Sequence, residues 1–289
     1  MADVLVIIVT WNGMKWLEKC IKSVNASTVP ADIFIIDNGS TDGTVKWIWD
    51  NTSESVKLHV AEKNLGFGAA NNIGLSYAAE KGYRYVYLLN QDAYLEPDTI
   101  DLMIKAFESP WSKGFGILSP IQNDSSGKRQ DAGFQRHCEK ALQKDSAPIA
   151  KVDFVMAAHW MISLEALRTV GGFSPSFTQY GEDDNYLHRL GYHGLKCGIV
   201  RKAKAIHDRE SRENTKERRM KLKCVATVVK VSDPRVPVIW RMLREPLELL
   251  GMSVIHLSLI PLAYIPKLAG RYPELIRNRR ASKKKGAFL

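Results

Sequence analysis

Cysteine is scarce in this chain of 289 residues, and its four copies (Cys20, Cys138, Cys197, Cys224) are scattered. No two of them have the spacing of a zinc ligand pair or a redox Cys-x-x-Cys, and the pattern suits a reduced, cytosolic protein. A Gly-Lys-Ser/Thr sequence is missing, which excludes a Walker-type phosphate loop and disfavours ATP hydrolysis. No Gly-x-Gly-x-x-Gly follows a strand, so a dinucleotide-dependent dehydrogenase is excluded as well. Long apolar runs are lacking too. The longest uncharged stretch, Leu249 to Pro266, is eighteen residues and holds Pro261, which puts it near the lower limit for spanning a membrane. The chain shows no internal repeat and no low-complexity linker. Its start leads straight into an apolar strand, so no signal peptide is expected there.

Acidic residues are short in one part of the chain only. Residues 235–289 hold eleven Lys or Arg against three Glu, and residues 201–234 hold eleven basic against five acidic residues. Since the whole carries +10, residues 1–200 are net acidic. This asymmetry points to an anionic partner for the last third. A nucleic-acid-binding protein would account for that basic end, but not for the acidic groups that close the strands of the N-terminal part.

What is present is an alternation of strands and helices. Val4–Val9, Ile33–Ile36 and Tyr85–Leu89 are short apolar, β-branched or aromatic runs. Trp16, Leu17, Cys20, Ile21 and Val24 form a helical stripe behind the first of them. Ser40 or Thr41 is placed to cap a second helix through Val45 and Ile48, residues 67–81 form a third, and Pro97 stands at the start of a fourth. Residues 120–150 are weakly patterned and read as a short hairpin or a flap. Val152–Met156 returns to strand character, Glu182–Leu190 to helix, and strands are expected near 195–200 and 203–207. Such alternation implies a largely parallel α/β sheet with helices on both faces.

Each early strand ends in polar groups, the usual place for a ligand in an open α/β sheet. The first ends in Thr10-Trp11-Asn12-Gly13 and the second in Asp37-Asn38-Gly39-Ser40. The third delivers Asn90-Gln91-Asp92. Between them lies Asn64-Leu65-Gly66-Phe67-Gly68-Ala69-Ala70-Asn71-Asn72, whose glycines allow close backbone approach ahead of a helix N-terminus, where an anion is favoured. Farther on, Glu182-Asp183-Asp184 opens a helix. Three adjacent carboxylates repel one another, which raises the pKa of one toward general-base work, although acidic residues also simply complement a helix dipole.

The ordered series VTWN, IIDNGSTDGT, NLGFGAANNIG, LLNQDAYLEP and VGGFSPSFTQYGEDDNYLHRLGYHG resembles the family-2 glycosyltransferases, inverting enzymes of the GT-A fold, and in particular their rhamnosyltransferase-like, bacterial glycan-assembly type. The likeness covers roughly residues 3–210. It implies a Rossmann-like GT-A domain over 1–230, followed by a basic helical appendage over 231–289. It implies that Asp37 meets the base or ribose of a donor nucleotide, with Thr10, Asn12, Asn38, Asn64, Gly66, Asn71 and Gln91 around the same nucleotide. Asp92 falls on the last Asp of the family's DXD motif, and His207 on a second metal or diphosphate ligand, for Mn²⁺ or Mg²⁺. Here that motif reads Asn90-Gln91-Asp92, so an amide stands where a carboxylate is usual.

The family's ED pair aligns with Glu182-Asp183, making Asp183 the base with Glu182 as the alternative. Arg189 matches an Arg that faces phosphate, with a solvated salt bridge as the other reading. Trp160, beside His159, is either a platform for an acceptor sugar or core packing. The function implied is transfer of a sugar from a nucleoside-diphosphate sugar to a hydroxyl of a glycan acceptor, often lipid-linked. The alternative is a catalytically silent nucleotide-sugar-binding scaffold. The run Leu249–Pro266, flanked by Arg244 and Lys267, reads as an interfacial segment on an anionic membrane surface, with a spanning helix and a buried helix pair left open. The expected location is the inner face of the cell membrane, and the oligomeric state is open.

Overall fold

The computed structural model describes residues 2–209 and 215–289. Four strands, β1 (Val4–Thr10), β2 (Asp32–Asp37), β3 (Lys57–Val60) and β4 (Tyr85–Asn90), pair in parallel in the order β3-β2-β1-β4. Beyond β4 the sheet becomes mixed. β8 (His159–Ser163) runs antiparallel to β4 and to β6 (Phe115–Asn123), and β9 (Lys196–His207) runs parallel to β6. Two short strands, β5 (Ala93–Leu95) and β7 (Ile149–Val152), lie antiparallel to β9 and complete nine strands.

The apolar runs become central strands because helices cover both faces. On one face Val4, Val6 and Ile8 pack under α1 (Leu17–Asn25), α2 (Thr44–Asn51) and α4 (Thr99–Glu108). On the other, Leu5 and Ile7 meet α3 (Phe67–Lys81), α5 (Ala132–Lys144), α6 (Leu164–Val170) and α7 (Glu182–Tyr192). The stripe Leu17, Cys20, Ile21 and Val24 is buried as its spacing requires. All four cysteines are free and buried.

Several expectations need correction. The α2 helix begins only after Gly43; Asp42 accepts from the Thr44 amide at 3.1 Å, while the Ser40 hydroxyl accepts from the Asn12 amide at 2.8 Å. Pro97 stands before Asp98, the residue flanking α4, and so outside the helix. Residues 120–150 hold the full helix α5, capped by Asp131, whose carboxylate accepts from the Gly133 and Phe134 amides. Its signal was the spacing Phe134–Cys138, both buried. The strand expected over Val152–Met156 ends at Val152, and the next is β8. The two strands expected at 195–207 are one, β9, with an irregularity in its pairing to β6.

The helical part starts at Lys216, ahead of the boundary expected at 230. Helices α8 (Lys216–Ser232), α9 (Val238–His256) and α10 (Leu259–Ala281) share a small core of Cys224, Val228, Val231, Leu249, Leu268 and Leu275 with Phe177 of the sheet region. The end of α10 and the residues after it are fastened back onto the sheet region. The Gly172 amide donates to the Ala287 carbonyl at 2.8 Å, and Asn278 Nδ2 to Ser176 Oγ at 3.0 Å. Close packing here leaves room only for glycine: a Cβ on Gly171, at φ +85°, would lie 1.8 Å from the Ala287 carbonyl oxygen.

Arg189 belongs to this joint and faces neither phosphate nor solvent. It is fully buried, with Nη1 donating to the Gly172 carbonyl, Nη2 to the Val170 carbonyl, and its plane over the Phe288 ring. Burial lowers its pKa to about 10.

Candidate active site

The ends of β1, β2 and β4 are neighbours, since Thr10 pairs with Asp37 and Val9 with Asn90. Their polar residues hold one another. Gln91 Oε1 accepts from Thr10 Oγ1 at 2.8 Å and from the Trp11 amide at 2.9 Å. Asn12, at φ +49°, accepts from the Thr41 amide through Oδ1 at 2.9 Å. Asn38 accepts from the Leu65 amide and donates to Asn64 Oδ1, which also accepts from the Gly66 amide. Gly66 is at φ +85°, and a Cβ there would meet the Thr178 carbonyl at 2.4 Å. These bonds make Thr10, Asn38, Asn64 and Gln91 braces for the loops.

Asp37 differs from its neighbours. It is fully buried; Oδ2 accepts from the Gly39 and Ser40 amides at 3.2 and 2.9 Å, but Oδ1 has no hydrogen-bond partner. A buried acceptor is rarely left unmatched, so a ligand donor is the natural complement. Asn71 is the opposite case: it is buried and its amide donates to the Phe67 carbonyl within its own helix, which makes it a helix brace.

Asp92 and His207 stand together on a cavity of about 1,380 Å³, with Asp92 Oδ1 3.8 Å from His207 Nε2. That gap is too long for a good hydrogen bond. It is short enough for both atoms to reach one divalent ion at about 2.1 Å each. Strand pairing fixes the arrangement, because Ala93 lies opposite His207 across β5 and β9. No cluster of three or more His, Cys, Asp or Glu suited to a metal exists among the described residues. The pair therefore fits an ion that also takes oxygens from a bound diphosphate. The adjacent Asp208 is engaged elsewhere, accepting from Tyr94 Oη at 3.0 Å.

The same cavity is lined by Glu182 and Asp183 at the start of α7. Burial raises the Asp183 carboxyl above the ordinary range. Glu182 and Asp184 are each pushed up to about 7, first by burial and then by the charge of Asp183. Glu182 Oε2 is buried without a partner. A carboxylate poised this way is suited to taking a proton near neutral pH.

Raised carboxyls also set a pH dependence of stability. From about pH 4.5 upward the folded protein keeps protons that the unfolded chain has released, so this contribution is complete at low pH and is lost as pH rises through about 7. The melting temperature of wild type should therefore fall more between pH 5 and 8 than that of Glu182→Gln. Equal slopes would contradict the assignment.

The remaining lining was not foreseen from the sequence. It includes Arg136 on α5, Asp131 with Arg209, and Arg218 on α8. Arg209 grips Asp131 through two bonds of 2.9 and 2.7 Å. Asp131 and Arg136 were missed because α5 itself was missed. Trp160 is core rather than platform: it is fully buried, its Nε1 donates to the Val155 carbonyl at 3.1 Å, and it stacks on Phe173. His159 is sealed beneath the site between Tyr87 Oη and the Ile206 carbonyl, and burial drives its pKa down to about 3.

Comparison with known proteins bears on the family and the fold. The N-acetylglucosaminyl-diphospho-decaprenol L-rhamnosyltransferase of Mycobacterium tuberculosis is 26% identical over 241 residues, covering 72% of this chain and 76% of its own. The chondroitin synthase of Pasteurella multocida is 33% identical over 106 residues, 36% of this chain; the match spans only 11% of that longer protein. A mannosyltransferase of Pyrobaculum calidifontis, solved with GDP-Man and Mn²⁺, superposes with a TM-score of 0.58 at 17% identity, over 97% of this chain and 74% of that one. S. aureus TarS in complex with UDP-GlcNAc gives 0.59 at 12% identity, over 96% and 81%. Both likenesses establish the GT-A-like fold. The model of glycosyl transferase family 2 matches residues 5–171, more than half of the chain, and the protein belongs to that family.

Proposed function

We propose that the protein is an inverting glycosyltransferase that moves a sugar from a nucleoside-diphosphate sugar to a hydroxyl of a glycan acceptor. The observation that carries this reading is that Asp183 and Glu182 line one cavity with the Asp92–His207 pair. Asp37, with its unmatched buried oxygen, would receive a donor from the nucleoside. Asp183 takes the proton of the acceptor hydroxyl while that oxygen forms its bond to the anomeric carbon. The bond to the diphosphate breaks on the opposite face, so the anomeric configuration inverts. A divalent ion, Mn²⁺ or Mg²⁺, held by Asp92 and His207 would neutralise the charge gathering on the departing diphosphate.

The acceptor in this reading is a lipid-linked glycan, as the name of the mycobacterial relative states for that enzyme. Arg136 and Arg218 line the cavity on the side of α5 and α8, where a lipid diphosphate would be welcome. The protein would work from the cytoplasmic surface of the membrane, resting on it. No helix of the described residues is long and apolar enough to cross one.

Donor binding offers the first test. A ligand at about 100 times its Kd stabilises by about 2.7 kcal/mol, which corresponds to a rise of several degrees in melting temperature. One class of nucleoside-diphosphate sugar, with Mn²⁺ present, should produce such a rise. If no nucleotide or nucleotide sugar shifts the transition, the reading fails.

A further inference from the structure

Helix α9 buries charge and exposes apolar side chains. Its inward face sets charge beside the apolar Leu249: Glu245 is fully buried, 3.1 Å from Arg241 and 3.4 Å from Lys230, and Lys230 also reaches Glu248 at 2.5 Å. Its outward face is apolar. Ile239, Leu243, Leu247, Leu250 and Val254 recur every three or four residues, which places them on one side of a helix, and they are between 43% and 76% exposed together with Ile255. The stripe continues around the turn into α10, where Leu257 is 88% and Leu259 is 78% exposed. Pro261, which counted against a spanning helix, merely occupies the first turn of α10, where its missing N–H is harmless.

A protein surrounded by water places its apolar side chains inward, and an exposed patch of this extent marks a partner. We infer that the outward face of α9 and the α9–α10 corner enter one leaflet of an anionic bilayer, with α9 lying along the interface. Charge selects this occupant over a second copy of the chain. Exposed Arg244 lies one turn from Trp240 and Leu247 on α9, and Lys267 follows the apolar run. Lys223 of α8 reaches the corner through His256 Nε2 at 2.9 Å. A second copy would bring these cations against their own like, whereas anionic headgroups neutralise them. The most exposed side chains, Leu257 and Leu259, also sit together at the turn between α9 and α10, where a fluid acyl layer can receive them.

This docking rests on the proposed function and deepens it. Helix α8 packs on α9 and also supplies Arg218 and Leu222 to the cavity. A bilayer under α9 thus lies beside the cavity wall on the α8 side, where a lipid-linked acceptor would arrive.

The test uses the full chain and its Val254→Glu/Leu257→Glu variant, whose altered side chains are 74% and 88% exposed, so that folding is spared. Wild type should sediment with phosphatidylglycerol-containing vesicles and far less with pure phosphatidylcholine, and high salt should release it only in part. The double variant should bind at least tenfold more weakly, with unchanged melting temperature and an unchanged donor-induced shift. Equal vesicle binding by the two proteins would overturn the inference. So would a stable wild-type dimer in light scattering, lost in the variant, with no vesicle binding by either. Absence of a donor response in both proteins, with vesicle binding by wild type and its loss in the double variant as expected, would instead sink the proposed function and leave the docking surface standing.

Discussion

Asp183→Asn should lower sugar transfer by about 10²- to 10⁴-fold while leaving donor affinity nearly unchanged. The amide keeps the shape of the carboxylate and its ability to accept from the Asp184 amide, a bond of 3.0 Å in the wild-type protein. What it loses is the capacity to take a proton. A general base acts only in the reaction step, so turnover should fall and donor binding should not. Glu182 provides the internal control, because it lines the same cavity and its buried Oε2 is unmatched. Near-normal turnover in Asp183→Asn, with collapse in Glu182→Gln, would move the base to Glu182.

The second large effect is expected at Asp92. With an amide at residue 90, Asp92 is the one carboxylate of its motif, and His207 stands 3.8 Å away. Asp92→Ala leaves only the imidazole, which cannot balance the charge of a divalent ion beside a diphosphate. The Mn²⁺-dependent part of the donor-induced rise in melting temperature should disappear, while the part seen without metal remains. His207→Ala should weaken the same response less, since it removes a neutral ligand. A full Mn²⁺ response in Asp92→Ala would show that the ion is held elsewhere.

The parallel half of the fold was legible because its signals are local. β1, β2 and β4 are buried on both sides and read as unbroken apolar runs, and α3 was placed at its observed bounds. The polar strand ends were legible for the same reason: register carries Thr10, Asp37 and Asn90 to one edge once the strands are known. The mixed half was harder. β8 sits between β4 and β6 through pairings distant in sequence, and its residues, His159 to Ser163, show no alternation to announce it. Helix α5 has its cap and spacing, but its exposed polar face hid them.

Side-chain roles were the least legible. Asn38, Asn64, Asn71 and Gln91 have the residue types of ligand contacts, yet their amides are used by neighbouring backbone or by one another. Arg189 reads as a charged site residue, but two carbonyls of the Val170–Gly172 turn and the ring of Phe288 enclose it. Sequence spacing carries no information about such tertiary partners. The exposed apolar face of α9 was hidden for a related reason. A helix with apolar and charged faces looks the same in sequence whichever of them faces inward.

The most direct measurement follows the anomeric signal of candidate nucleoside-diphosphate sugars by NMR, with a polyprenyl-diphosphate-linked sugar as acceptor and Mn²⁺ present. The result expected is consumption of one donor class, release of the nucleoside diphosphate and a new glycoside of inverted anomeric configuration, with Asp183→Asn nearly inactive. Tight donor binding with no turnover under any of these conditions would contradict it and identify a silent nucleotide-sugar binder. A product of retained configuration would equally contradict the role given to Asp183.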